Sequence, residues 1–247
     1  MMGRFVITMK RCPYCDEEIR EKAIKCRYCK SELNETNNEK IDLEVKTIIK
    51  EIVEKGDQGL INLSKKFDDF ELNTGNFLIP HNIRTQYYND IDKKILESFK
   101  IAISNVTNFH TKQLPRNYEI AEQDIIKGCV WKPIESVGFY VPGGSALYPS
   151  SLIMNVVPAK VAGVERIVVV TPNTKEQINP YILALLEVLE VHEAYQVGGA
   201  QAIAALAYGT KIIRPVNKIF GPGNAYVVSA KKQVFGKVGI DLIAGPS

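Results

Sequence analysis

The stretch RIVVVTPNTKEQINPYILALLEVLEVHEAYQVGG, residues 166–199, decides the fold class of this chain. It predicts a strand at about 166–171, a helix at about 177–190 and a second strand at about 194–198. The run RIVVV is apolar on both faces of its strand, which is typical of a sheet covered by helices on both sides. Because parallel strands need a crossover and a helix supplies it, the alternation predicts parallel β–α–β units.

The same alternation extends from about residue 125 to the end of the chain. Further strands are predicted at about 125–131, 136–141, 217–220 and 239–244. Further helices are predicted at about 150–163, 200–208 and 224–234. Pro158 lies inside the first of these helices and predicts a kink or a late start there. We therefore expect an α/β protein with a Rossmann-like parallel sheet and flanking helices.

The segment upstream of these units has helical periodicity. Apolar residues recur at helical spacing from about 41 to 53, Gly56 follows as a stop, and Asp57 is expected to cap a shorter helix. A longer helix is predicted to begin near Asp90 or Asp92. Before these helices, residues 34–40 (NETNNEK) are wholly polar and predict a linker that follows a cysteine-rich segment at 1–33.

Composition and charge exclude two classes of protein. The formal net charge is +3 and charged residues make up 24%, without the basic stripe that nucleic-acid binding requires, so no nucleic-acid partner is expected. No apolar run approaches the ~20 residues of a membrane span, so no membrane partner is expected. No secretory signal is visible either, and the chain is expected to be cytoplasmic.

Four of the five cysteines form two C-x-x-C pairs ten residues apart: Cys12, Cys15, Cys26 and Cys29. Such pairs converge on a tetrahedral four-cysteine site that suits structural zinc. The polar segment between them could not fold without a metal cross-link. A redox C-x-x-C of thioredoxin type is the alternative, but that motif occurs singly. The fifth, Cys129, is expected to be a small buried residue in a strand.

Glycine-rich loops lie at the ends of four of the predicted strands, at residues 141–145, 198–201, 221–224 and 244–247. In a parallel sheet these loops share one edge, where ligands bind and helix N-termini can hold phosphate. Gln201 and Asn224 open the following helices, and Tyr140 is placed to cover a ring or a ribose. One such loop alone is ordinary turn chemistry. Since no G-x-G-x-x-G is present, the residues by themselves predict only a crevice for a polar or phosphorylated ligand.

Longer strings resemble the histidinol dehydrogenase family in order and spacing. They are VGFYVPGGSALYPSSLIMNVVPAKVAGV, QVGGAQAIAALAYGT, VNKIFGPGNAYVVSAKKQVFG and IDLIAGPS, with GDQGLINLSKKFD and NFHTKQ upstream. The resemblance covers about residues 41–247. It implies two successive NAD-dependent oxidations of L-histidinol to L-histidine by a homodimer. It also implies that Tyr140, Gln201 and Asn224 are NAD-binding positions and that Ser247 contacts substrate.

Composition separates a zinc-ribbon-like module (1–33) and the linker (34–40) from the rest of the chain. The resemblance divides that rest into the N-terminal part of a first dehydrogenase domain (41–136) and a Rossmann-like NAD-binding domain (137–247). The family's Glu–His proton-transfer pair and the ligands of its catalytic zinc come after the GPS motif, on which these residues end. None of the three histidines matches those positions. We therefore expect no catalytic residue within the 247 residues, an incomplete first domain and no turnover by this chain alone.

Two other hypotheses stay open at this point. The first is a non-enzymatic module in which the zinc ribbon docks to an unknown protein partner and is fused to a partial nucleotide-binding fold. The second is another NAD-dependent dehydrogenase that uses the same loops, although the quoted strings fit one family.

Overall fold

The computed structural model describes residues 9–12, 17–20, 23, 25–28, 35–143, 149–173 and 178–242. The strands among these residues are β1 (Met9–Arg11), β2 (Glu18–Arg20), β3 (Tyr118–Glu122), β4 (Ile125–Cys129), β5 (Ser136–Tyr140), β6 (Arg166–Val170), β7 (Glu193–Tyr195), β8 (Lys218–Phe220) and β9 (Gly239–Ile240). The helices are α1 (Glu35–Lys55), α2 (Asp57–Phe67), α3 (His81–Asp90), α4 (Lys93–Thr111), α5 (Pro149–Ala162), α6 (Pro180–Val188), α7 (Gly199–Tyr208) and α8 (Ala225–Val234).

The main sheet has five parallel strands in the order β7-β6-β5-β8-β9, which confirms the expected parallel α/β architecture. Taking β5 as the first strand of the unit, the spatial order is 3-2-1-4-5, the order of a Rossmann sheet. β5 is the central strand and pairs with β6 on one side and with β8 on the other. The direction of strand succession therefore reverses between β5 and β8.

Helices cover both faces of this sheet, as the apolar run RIVVV predicts. Val169 of β6 belongs to one core, with residues of α5 and α6, and α3 and α4 pack on those two helices. Its neighbours Val168 and Val170 belong to the other core, with residues of α1, α2, α7 and α8. Successive side chains of a strand point to opposite faces, so every residue of this run can be buried. Each of these valines is 0% exposed and contributes roughly 1.5–3 kcal/mol by its burial.

The starts of α5 and α6 are set by proline residues. α6 begins at Pro180 rather than at 177, because the Asn179 side chain accepts from Tyr181 N at 2.9 Å and Pro180 takes the first helical position. α5 begins at Pro149 and passes through Pro158, so the late start predicted there is wrong. Proline has no N–H to donate to the carbonyl four residues earlier, that of Met154, so the helix continues without this hydrogen bond.

The region upstream of the sheet requires three corrections. Residues 35–40, expected to be part of a linker, form the first turns of α1, so a wholly polar composition did not indicate a linker here. Asp57 is the first residue of α2 rather than its cap; Gly56 takes the cap position with φ 55°, which confirms it as the stop of α1. The third correction is α3, which no apolar periodicity predicts, since Arg84 is its only buried residue.

An antiparallel hairpin, β3–β4, lies outside the main sheet. The strand expected at about 125–131 is therefore present, but not as a parallel strand. All but one of the ten residues of the hairpin strands are exposed, including Ile120, Ile125 and Ile126. Cys129 ends β4 and is half-buried, so the expectation of a buried cysteine is wrong while its place in a strand is confirmed.

No helix among the described residues is both long enough and apolar enough to cross a lipid bilayer.

Candidate functional site

The carboxyl edge of the main sheet carries the candidate site. The loops after β5 and β8 begin side by side there, where the order of the strands reverses. In open parallel sheets a crevice forms at such a point, because the helices that follow the two strands depart to opposite faces of the sheet. α5 lies on one face and α8 on the other. The structure thus brings the loops at residues 141–143 and 221–223 together, as the sequence predicts.

Gly221 sets the closeness of these two loops. Its φ is +116°, and a Cβ at this position would lie 2.2 Å from the carbonyl oxygen of Tyr140. Its N–H donates to Asp241 Oδ2 at 2.9 Å, and its carbonyl accepts from Lys231 Nζ at 3.0 Å. Lys231 also forms an ion pair with Asp241. The loop after β8 is therefore held by a buried lysine and a carboxylate, next to a cavity of about 270 Å³.

Tyr140 and Gln201, both predicted from the sequence, each form a hydrogen bond below the surface of this edge, close to the start of α7. The Tyr140 hydroxyl accepts from Gly199 N at 3.2 Å, at the first residue of α7. Gln201 Nε2 donates to Asp68 Oδ2 at 3.3 Å. Burial raises the pKa of Asp68 to about 6, and the hydrogen bond from Gln201 opposes part of that rise. Tyr140 is 4% exposed and Gln201 is 1% exposed, so the two side chains form a buried floor beneath this edge of the sheet.

Asn224 occupies a different position, at the exposed N-cap of α8. Its Oδ1 accepts from Tyr226 N and from Val227 N, both at 3.1 Å. This cap satisfies two of the N–H groups that a helix start leaves without partners. The amide nitrogen of Asn224 is then the atom left to donate to a ligand. Ser247, the predicted substrate contact, lies outside the described residues.

Comparisons with known proteins identify the family. The histidinol dehydrogenase family model matches residues 31–247, which is most of the chain. The chain belongs to the histidinol dehydrogenase family. It is 48% identical over 219 residues to the histidinol dehydrogenase of Listeria innocua, covering 88% of this chain and 51% of that protein. The enzyme of Carboxydothermus hydrogenoformans is 48% identical over 210 residues, covering 85% of this chain and 49% of the relative.

A solved structure agrees with this assignment. The crystal structure of histidinol dehydrogenase from Elizabethkingia anophelis superposes with a TM-score of 0.80 at 31% identity, over 87% of this chain and 52% of that one. The chain therefore spans about half the length of the histidinol dehydrogenases that it matches.

Three side chains at this edge were not predicted from the sequence. Asp68, Lys231 and Asp241 organise Gln201 and the Gly221 loop, yet each lies in a segment with an ordinary polar or amphipathic pattern. Asp68 ends the string GDQGLINLSKKFD, one of those that resemble histidinol dehydrogenases. That resemblance was the only signal that could have indicated it.

The cysteine-rich segment lies outside the histidinol dehydrogenase match, which begins at residue 31. Cys12 and Cys26 are 2% and 0% exposed and share one small cluster with Ile19 of β2, which pairs with β1. Cys15 and Cys29 are outside the described residues. Within the described ranges, no group of three or more His, Cys, Asp or Glu side chains could hold a metal ion. The four-cysteine zinc site therefore stays a prediction.

Proposed function

We propose that this chain is the NAD- and substrate-binding half of a histidinol dehydrogenase, which oxidises L-histidinol to L-histidine in two NAD-dependent steps. The observation that carries the proposal is the reversal of strand order between β5 and β8, in a chain of this family. Nucleotides bind outside the carboxyl ends of the strands at such a point. The positions that match the family's NAD-binding residues lie at that edge: Tyr140 ends β5, and Gln201 and Asn224 come after β7 and β8.

The described residues fit this role in two ways. Tyr140 and Gln201 are buried and fix the shape of the floor, while the exposed Asn224 presents an amide N–H donor at the start of α8. A helix start favours anions, and an N–H donor there suits a phosphate or an amide oxygen. Bound NAD supplies the hydride acceptor for the oxidation of the alcohol. Ser247 is the proposed substrate contact, by its match to the family.

The segment before the family match has a separate proposed role. Cys12, Cys15, Cys26 and Cys29 hold a structural zinc ion, supported by the burial of Cys12 and Cys26 in one cluster. A closed four-cysteine site has no open position for catalysis, so the module would serve to dock a protein partner. By family, the whole enzyme is a cytoplasmic homodimer.

The NAD-binding proposal is tested by titrating the purified 247-residue chain with NAD in a calorimeter. N224D is the informative variant, because Asp caps a helix as well as Asn does but has no amide N–H to donate. We expect N224D to keep the thermal stability of the wild type and to bind NAD at least about tenfold more weakly, the equivalent of one charge-assisted hydrogen bond. N224A should also lose about 1 kcal/mol of stability with the cap.

The matched control is N105D, which introduces the same charge on an exposed position of α4, a helix that packs on the opposite face of the sheet from α8. It should bind NAD as the wild type does. Binding by N224D that equals wild-type binding would remove Asn224 from the site, and a wild-type chain that binds no NAD would contradict the proposed function.

A further inference from the structure

Asp68 lies at the C-terminal end of α2, and its side chain contacts the start of α7 at the carboxyl edge of the sheet. It occupies the C-cap position, where its backbone N–H donates to Ser64 O at 2.9 Å. Its carboxylate accepts from Gln201 Nε2, a residue 133 positions away in the sequence. α2 thus places an acceptor directly against the first turn of α7.

The side-chain amide of Gln201 has one orientation in this arrangement. The residue is 1% exposed, so water cannot compensate for a lost partner. Its Oε1 lies beside the α-carbon of Gly199, where a Cβ would come within 2.6 Å of it. A carboxylate only accepts hydrogen bonds, so an ionised Asp68 selects the orientation in which Nε2 faces it. The carboxylate thus fixes the amide through its Nε2 end, and the absence of a side chain at Gly199 leaves room for Oε1.

Gly199 connects this amide to Tyr140. Its N–H donates to the Tyr140 hydroxyl at 3.2 Å, and its positive φ of 65° is a conformation that glycine adopts without strain. The pKa of Tyr140 is raised, first by burial and also by the negative charge of Asp68. Asp68 therefore acts on Tyr140 through a chain of contacts and through its charge.

We propose that Asp68 is a positioning residue of the nucleotide site, whose carboxylate fixes the amide of Gln201 and, through Gly199, the first turn of α7 beside Tyr140. The proposal rests on the NAD-binding function proposed above. Its role is to hold Gln201, and it requires no contact between Asp68 and the nucleotide.

The protonation of Asp68 gives this role a measurable signature, because its pKa is about 6. Below that pH the neutral carboxyl can donate as well as accept, so it no longer selects one amide orientation. The helix that carries Gln201 has one titratable residue, Tyr208 at its far end. Tyr140 lies on the sheet, and the segment of Asp68 itself also carries Asp57, Lys65, Lys66, Asp69 and Glu71. α1 packs on α2 and α7, and it meets α2 through Glu51, which contacts Asn62. The other charged groups of α1 between residues 39 and 55 are Glu39, Lys40, Asp42, Glu44, Lys46, Lys50, Glu54 and Lys55.

The experiment measures NAD affinity by calorimetry from pH about 5 to about 8 for wild type, D68N and D69N. Wild-type affinity should fall on the order of five- to tenfold as pH drops through about 6, since a charge-assisted hydrogen bond is lost. D68N should be weaker by a similar factor at pH 8 and independent of pH. D69N makes the same substitution at the exposed neighbour, whose φ of 51° asparagine also tolerates, and should follow the wild-type profile.

D68E retains a carboxylate and should recover part of the pH dependence. A wild-type affinity that stays constant through pH 6, or a D68N profile that matches wild type, would overturn the positioning role while NAD binding itself stands. Absence of NAD binding by the wild type at every pH would contradict the proposed function, and this inference with it. The wild-type profile decides the question even if D68N does not fold.

Discussion

Replacing Arg166 with Met is expected to destabilise the sheet from the edge opposite the crevice. Arg166 begins β6, and its guanidinium binds the Glu193 carboxylate of β7 in a bidentate pair, with Nε to Oε1 at 2.7 Å and Nη2 to Oε2 at 2.8 Å. It also donates to the carbonyl oxygens of Pro215, at 2.8 Å, and Arg214, at 3.1 Å. One side chain therefore connects β6, β7 and the segment that leads into β8.

The magnitude follows from the burial of the pair. The Arg166 and Glu193 side chains are 16% and 25% exposed, so the pair is neither fully exposed nor fully buried. An exposed ion pair stabilises a protein by up to about 1 kcal/mol, whereas breaking a buried one costs about 3–5 kcal/mol. We expect R166M to lower the free energy of unfolding by about 2–3 kcal/mol. NAD affinity should not change, because the length of β6, roughly 13 Å, separates Arg166 from the carboxyl edge.

The pH dependence of this effect has a definite sign. Hydrogen bonding from Arg166 holds the pKa of Glu193 below its ordinary value. A carboxylate with a lowered pKa in the folded state contributes stability above its unfolded pKa of about 4.3, and that contribution is lost as the pH falls through the folded pKa. The difference in the free energy of unfolding between wild type and R166M should therefore be largest at neutral pH and decrease in acid.

Urea unfolding followed by far-UV circular dichroism measures the effect. The matched control is R214M, because Arg214 meets the same Glu193 oxygen at 3.4 Å but its side chain is 71% exposed. R214M should lower the free energy of unfolding by less than about 0.5 kcal/mol. Equal losses in R166M and R214M would refute the assignment of stability to the bidentate geometry.

Two further predictions concern the Gly221 loop and the cysteines. In thermal unfolding, G221A should lower the free energy of unfolding by about 3 kcal/mol or more, because its Cβ would meet the Tyr140 carbonyl. Its control G236A, at φ 94° with open space around it, should lower that free energy by about 1 kcal/mol from backbone strain alone. Equal losses in the two variants would show that the close approach is unimportant. Elemental analysis should find about one zinc ion per chain, lost in C12S and retained in C129S; a zinc-free wild type would exclude the four-cysteine site.

The main sheet could be predicted from the sequence because a strand buried on both faces is a continuous apolar run. The run RIVVV and the loops around it place β5 and β6 to within a residue of the observed strands. The same reasoning misplaced Cys129, because an apolar pattern identifies a strand without showing what covers it. In β3 and β4 the isoleucines of a strand-like pattern are exposed in this structure.

The contacts within the site were harder to predict, because they join distant parts of the chain. Asp68 caps the amphipathic helix α2 and Gln201 lies in the almost wholly buried helix α7, and neither pattern indicates the other. α3 escaped prediction for a related reason: its buried residue is Arg84, which donates to the carbonyl of Val191, so a polar side chain takes the place of an apolar one. The periodicity of a segment indicates which of its faces is buried, but it does not indicate which other segment packs against that face.

The packing of α1 against α7 and α8 has a consequence for how the protein is made. The two ends of this contact are far apart in the chain, as the hydrogen bond between Asp42 and Ser229 spans 187 positions. At a synthesis rate of roughly 5–20 residues per second, the apolar stripe of Val45, Ile48 and Ile52 leaves the ribosome about 10–40 seconds before its binding surface exists. During that interval the apolar stripe is open to chaperones and to self-association.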